Sequence, residues 1–109
     1  MAVDGFWIVE FIAAEIRGTG VVVFTNGKLF CGETGFYYIG TYEADGNLVK
    51  ARVMIRKFDP TVQSGFGIFG DYEMDVSAVQ QDDRMTGTAM ITDRPEYSLG
   101  IQLTKKANL

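Results

Sequence analysis

Apolar residues along this chain return at every second position, not at the third and fourth positions that a helix requires. Runs of this kind, mostly closing on a cluster of Gly, Asn or Asp, are Gly5–Ala14, Thr19–Thr25, Lys28–Cys31, Phe36–Glu43, Leu48–Phe58, Tyr72–Val79, Arg84–Thr92 and Tyr97–Lys105. They predict eight β-strands. The connections are mostly short. Asn26-Gly27 is the strongest two-residue hairpin signal, because both central positions of such a turn need positive φ. Asp45-Gly46 is the next, and Gln80–Asp83 and Asp93–Glu96 are further polar turns. Short turns impose antiparallel neighbours, and closing the meander removes its exposed edges. The expected fold is therefore all-β, an eight-stranded antiparallel up-and-down barrel forming a single domain over residues 1–109. One irregular segment around residues 59–71 contains Pro60, Gly65, Gly67 and Gly70, and reads as a long loop or one short helical turn.

Charges decide which face of a strand looks inward. Glu10 shares a face with Phe6, Ile8 and Ile12, so Trp7, Val9, Phe11 and Ala13 are assigned to the interior. By the same logic Val49, Ala51, Val53 and Ile55 face in, as do Tyr72, Met74, Val76 and Ala78, and Leu99, Ile101 and Leu103. Lys50, Arg52 and Arg56 then lie outside, against Asp71, Glu73 and Asp75 of the following strand. Cross-strand ion pairs of that kind contribute roughly 0.2–1 kcal/mol each.

The hairpin at Asp45-Gly46 decides the fourth strand. A two-residue loop there sets Ala44 opposite Asn47, Ile39 opposite Arg52 and Tyr37 opposite Met54. Tyr37, Ile39, Leu48 and Met54 then form an apolar patch outside the barrel, and Phe36, Tyr38, Gly40 and Tyr42 face in. A three-residue loop, Ala44-Asp45-Gly46, reverses these faces. On the first reading the patch is a candidate interface with a second copy or another partner.

Composition narrows the chemistry. The chain has no histidine, which removes His-based triads, His-ligated metals and imidazole acid–base pairs. Cys31 is the sole cysteine and makes no internal bridge, in keeping with a reducing cytoplasm. The apolar run Phe6–Ala14 follows Asp4 without a basic leader, so no secretory signal is expected, and no run reaches the ~20 residues of a membrane span. A net charge of −4 disfavours direct nucleic-acid binding and suits a basic protein partner.

No nucleophile has a recognisable base. The acid pairs Glu10/Glu15 and Asp82/Asp83 are what any chain with 14 acidic residues offers. Alternate strand residues such as Asp71, Glu73 and Asp75 lie about 7 Å apart, too far for one calcium to gather all three easily. The glycine-rich strings Gly32–Gly35 and Gly65–Gly70 lack the Lys-Ser/Thr of a phosphate loop and read as turns. No enzyme activity, cofactor or metal is expected. The aromatic residues raise one alternative, a barrel interior that holds a small apolar ligand in place of a packed core.

Several stretches together carry a resemblance: Asp4-Gly5-Phe6-Trp7, Gly18–Val23 leading to Asn26-Gly27, Tyr37–Tyr42 leading to an acidic turn, and Arg84–Thr88. In this order, over nearly the whole chain, they resemble the family of the type III secretion negative regulator GrlR. The resemblance implies a lipocalin-like barrel that forms a homodimer, is not an enzyme, and represses by binding a transcriptional activator. It also implies a contact role for an acidic loop after the fourth strand. Glu43 and Asp45 match the first and third acids of that loop, while Ala44 and Gly46 stand at the second and fourth. The expected partner is a basic helix-turn-helix activator, and the alternative is a lipocalin-like carrier of an apolar ligand.

Overall fold

A computed structural model describes residues 2–14, 17–62 and 71–109. Its strands are β1 (Gly5–Ile12), β2 (Arg17–Thr25), β3 (Lys28–Glu33), β4 (Phe36–Asp45), β5 (Leu48–Lys57), β6 (Tyr72–Gln81), β7 (Arg84–Ile91) and β8 (Arg94–Ala107). Each pairs antiparallel with the next, and β8 pairs with β1, so the eight strands form the closed barrel that the alternating pattern predicts. Glu15 and residues 63–70, which hold the string GFGIFG and most of the irregular segment, lie outside the described residues.

The inward positions make one continuous core. Trp7, Val9, Met74, Leu99 and Ile101 are buried, while Phe11, Tyr38, Tyr42 and Tyr72 are half-buried and pack against them. Two glycines let the wall curve this tightly. A Cβ on Gly87 would stand 2.0 Å from the Ser77 carbonyl oxygen, and one on Gly40 would stand 2.4 Å from that of Arg52. The interior is nearly filled: the cavity between Val22, Leu29, Cys31, Val53, Met74 and Met85 measures about 80 Å³.

The turns correct part of the expected register. Asn26 and Gly27 take φ of +49° and +79°, as the two-residue reading requires. At the next long hairpin, however, Asp45 pairs with Leu48, so the loop is Gly46-Asn47 and not Asp45-Gly46. Gly46 supplies the positive φ of +59° at the first central position, where a II′-type turn wants glycine, and Asp45 stays in the strand. Ile39 accordingly faces Met54 and Tyr37 faces Arg56. Each partner has moved by an even step, and a period-2 strand keeps its faces under such a step. The three-residue alternative, which would turn Tyr38 and Tyr42 outward, is not the one formed.

β8 also begins earlier than expected. The turn is Thr92-Asp93, and Arg94, Pro95 and Glu96 extend the strand. The register jumps there, with Met90 opposite Ser98 but Ile91 opposite Arg94, so Pro95 sits in a bulge where the ladder needs no N–H. β5 and β6 are neighbours. Arg52 reaches Asp75 at 3.2 Å and Arg56 reaches Asp71 at 3.8 Å, whereas Lys50 opposes Ser77 and Glu73 opposes Met54.

Candidate protein-interaction site

Two outward features stand out: an apolar belt across five strands and an acidic hairpin at one mouth. The register places Phe6, Val23, Phe30, Ile39 and Met54 in one row, each directly opposite the next from β1 to β5. Opposed residues share a face, and neighbouring strands lie about 4.8 Å apart, so the row spans roughly 20 Å. The adjoining row runs Ile8, Val21, Gly32, Tyr37 and Arg56. Tyr37 stacks on Phe58 with ring centroids 6.4 Å apart, which extends the apolar surface past the end of β5. Phe30 and Ile39 are each 44% exposed and Phe58 is 61% exposed. Arg52, Arg56 and Glu73 rim the belt at its β5–β6 side.

Of the four patch residues named from sequence, Tyr37, Ile39 and Met54 meet on this belt. Leu48 does not. Lys50 and Arg52 separate it from Met54 along β5, and it opposes the exposed Val79 instead. Phe6, Val21, Val23, Phe30 and Phe58 belong to the belt and were not named. A signal for them existed: the two-residue turn at Asn26-Gly27 sets Val23 opposite Phe30. The outer face of β2 and β3 simply carries too few charges to show itself.

The acidic hairpin lies at the end of β4. Glu43 and Asp45 are exposed on the outer face, opposite Lys50 and Leu48. Between strand and mouth sits Tyr42. Its amide donates to the Gly27 carbonyl at 2.9 Å, its ring meets Phe24 edge-on at 5.2 Å, and its hydroxyl donates to the Asp4 carboxylate. Asp4 also accepts from the Asn26 amide at 3.1 Å. The Tyr42 hydroxyl, then the Asn26 amide, hold the Asp4 carboxyl below its ordinary value. Burial, then the hydrogen bond given to Asp4, raise the Tyr42 phenol above its own.

The reactive side chains among the described residues are held in unreactive settings. Burial first, and the Glu33 charge second, push the Cys31 thiol up to about 12, so it is protonated and a poor nucleophile at neutral pH. The Tyr38 hydroxyl donates to Glu33 at 2.7 Å, and its phenol is raised mainly by burial. Among the described residues no three acidic or cysteine side chains gather as metal ligands. Asp71 and Asp75 each face an arginine. No helix among them is long and apolar enough to cross a membrane.

Comparison with known proteins agrees with the resemblance carried by the strands. A family model described as the type III secretion system negative regulator GrlR matches residues 2–94. The match ends at the first residue of β8, the strand that closes the barrel. No curated protein matches the chain.

Proposed function

The chain belongs to the GrlR family of type III secretion system negative regulators, and from that premise we propose that it is a cytoplasmic, non-enzymatic repressor that acts by holding a protein partner. The observation that carries this reading is the contrast between a filled interior and an apolar exterior. A cavity of about 80 Å³ is smaller than the roughly 150 Å³ that accommodates benzene in an engineered core. A fatty-acid chain has no room without repacking the barrel, so the carrier reading gains no support.

The two outer features suit different contacts. The belt is broad, apolar and rimmed by charge, the make-up of an interface between two copies of one chain, and we assign the homodimer contact to it. The hairpin is small and acidic, suited to steering and orienting a basic partner. We assign Glu43 and Asp45 to contact with a basic helix-turn-helix activator, which the repressor would keep from its promoter without touching DNA itself. Capture of such an activator should weaken at least tenfold in the Glu43→Lys, Asp45→Lys double variant, with dimerisation unchanged. Undiminished capture would remove the hairpin from the proposal.

A further inference from the structure

Ala2, Val3 and Asp4 precede β1 and are tied down at several points. Val3 is buried in the core cluster at 5% exposure. The Ala2 carbonyl accepts from Gln80 Nε2 of β6 at 3.2 Å and from Lys105 Nζ of β8 at 3.1 Å. Gln80 is the one buried polar residue among those described, and its side-chain amide also donates to the Asp82 carbonyl at 3.2 Å. The Val3 carbonyl accepts from Trp7 Nε1 at 2.9 Å. Asp4 then binds the Asn26 turn and Tyr42 of β4. The segment thus crosses the mouth from the β6 and β8 side to the β2–β4 side, tied at each step by a side-chain group.

These ties share a property. None belongs to a strand ladder, so the barrel's backbone pairing does not depend on them. Among the described residues, one valine side chain and five hydrogen bonds hold the segment down. That is the scale of a local opening, not of global unfolding. Tyr42 immediately precedes Glu43, so the same hydroxyl that holds the segment also fixes the base of the acidic hairpin.

We propose that Ala2–Asp4 is a latched stopper on this mouth of the barrel, and that the Asp4–Tyr42 hydrogen bond is the latch coupling the stopper to the hairpin that carries Glu43 and Asp45. With the latch closed, Trp7 is sealed and the hairpin is held. With it open, the indole meets solvent and the hairpin loosens while the barrel stays folded. The consequence for partner binding rests on the reading of Glu43 and Asp45 given above; the latch itself does not.

Trp7 is the only tryptophan and is 0% exposed, so acrylamide quenching of its fluorescence reads the stopper directly. The full chain should be compared with Asp4→Ala, Tyr42→Phe, the double variant and Asp4→Asn, with far-UV circular dichroism following the barrel. Each single variant should raise the quenching constant severalfold with the barrel signal intact. The double variant should add little to Asp4→Ala, because both changes remove the Asp4–Tyr42 bond and Asp4→Ala alone also removes the one from the Asn26 amide. Asp4→Asn keeps an acceptor oxygen for Tyr42 but sets its NH2 against the Asn26 N–H, so its quenching should fall between the unmodified protein and Asp4→Ala. Amide exchange of Glu43 to Asp45 should quicken in the same variants that expose Trp7. Unchanged quenching in folded Asp4→Ala and Tyr42→Phe overturns the latch, as does unfolding of both. Exposure of Trp7 with unaltered exchange at Glu43 to Asp45 overturns the coupling. Failure of every variant to capture a basic activator counts against the hairpin reading instead, since the Trp7 measurement needs no partner.

Discussion

The wall of this barrel has two unlike halves. Inside, they are the same: β1–β5 and β6–β8 both line the core with alternate apolar residues such as Val9, Val53, Met74 and Leu103. Outside, β6–β8 present Glu73, Ser77, Thr86, Thr88, Ser98 and Gln102, with Val79 and Met90 as isolated exceptions. β1–β5 present Phe6, Val23, Phe30, Ile39 and Met54 in one unbroken row. Folding a barrel requires only the inner alternation. The outer face of β6–β8 is mostly polar, as expected of a solvated sheet face. The apolar half departs from that pattern, and its contiguous exposed patch is the basis on which we propose an interaction surface there.

Changes to the shared interior should have the largest effect. In Gly87→Ala the new Cβ would meet backbone at 2.0 Å, and the pair β6–β7 must separate to admit it. A loss of about 3 kcal/mol is expected, measured by urea denaturation. Next comes the belt. Phe30→Asp should weaken self-association about 30-fold or more, as loss of a central apolar anchor does, with monomer folding retained. Sedimentation equilibrium reads this.

The mouth adds an effect of pH. Because its folded value is depressed, Asp4 contributes stability that is present above the ordinary carboxylate range, near pH 4, and lost as pH falls through the lower folded value. Acid titrations of stability should therefore fall less steeply in Asp4→Ala than in the unmodified chain. Smaller again is Arg52→Ala. Its ion pair with Asp75 is largely exposed, so about 0.2–1 kcal/mol is expected in thermal unfolding. The control for the comparison is Thr88→Asp in the polar half. It should change stability by no more than about 0.5 kcal/mol and leave self-association untouched.

The interior half of this picture was legible in the sequence, because a single charge such as Glu10 or Lys50 tells a period-2 strand which way to face. The exterior half was legible only where charges flank it. Met54 on β5 and Ile39 opposite it on β4 emerge because Lys50 and Arg52 mark that outer face, but near Val23 and Phe30 the outer face of β2 and β3 offers only Lys28, at the turn end. The hairpin shows the opposite case. Its loop sits one residue later than Asp45-Gly46 suggests, yet the faces of Tyr38 and Ile39 survive, since the partners shift by an even step. Pro95 disguised the start of β8, because a proline in a strand is acceptable only where a bulge removes the ladder bond. The fastening of Ala2–Asp4 across the mouth was not legible: the segment precedes the first periodic run, and its ties go to Gln80, Lys105, Tyr42 and Asn26, far away in sequence.

The belt as a homodimer interface is tested most directly by mass. Light scattering across a concentration series should give the unmodified protein twice the 12.1 kDa of one chain. Ile39→Asp should give a folded species at 12.1 kDa under the same conditions. A monomeric unmodified protein at every concentration, or a dimer that survives Ile39→Asp, would contradict the account.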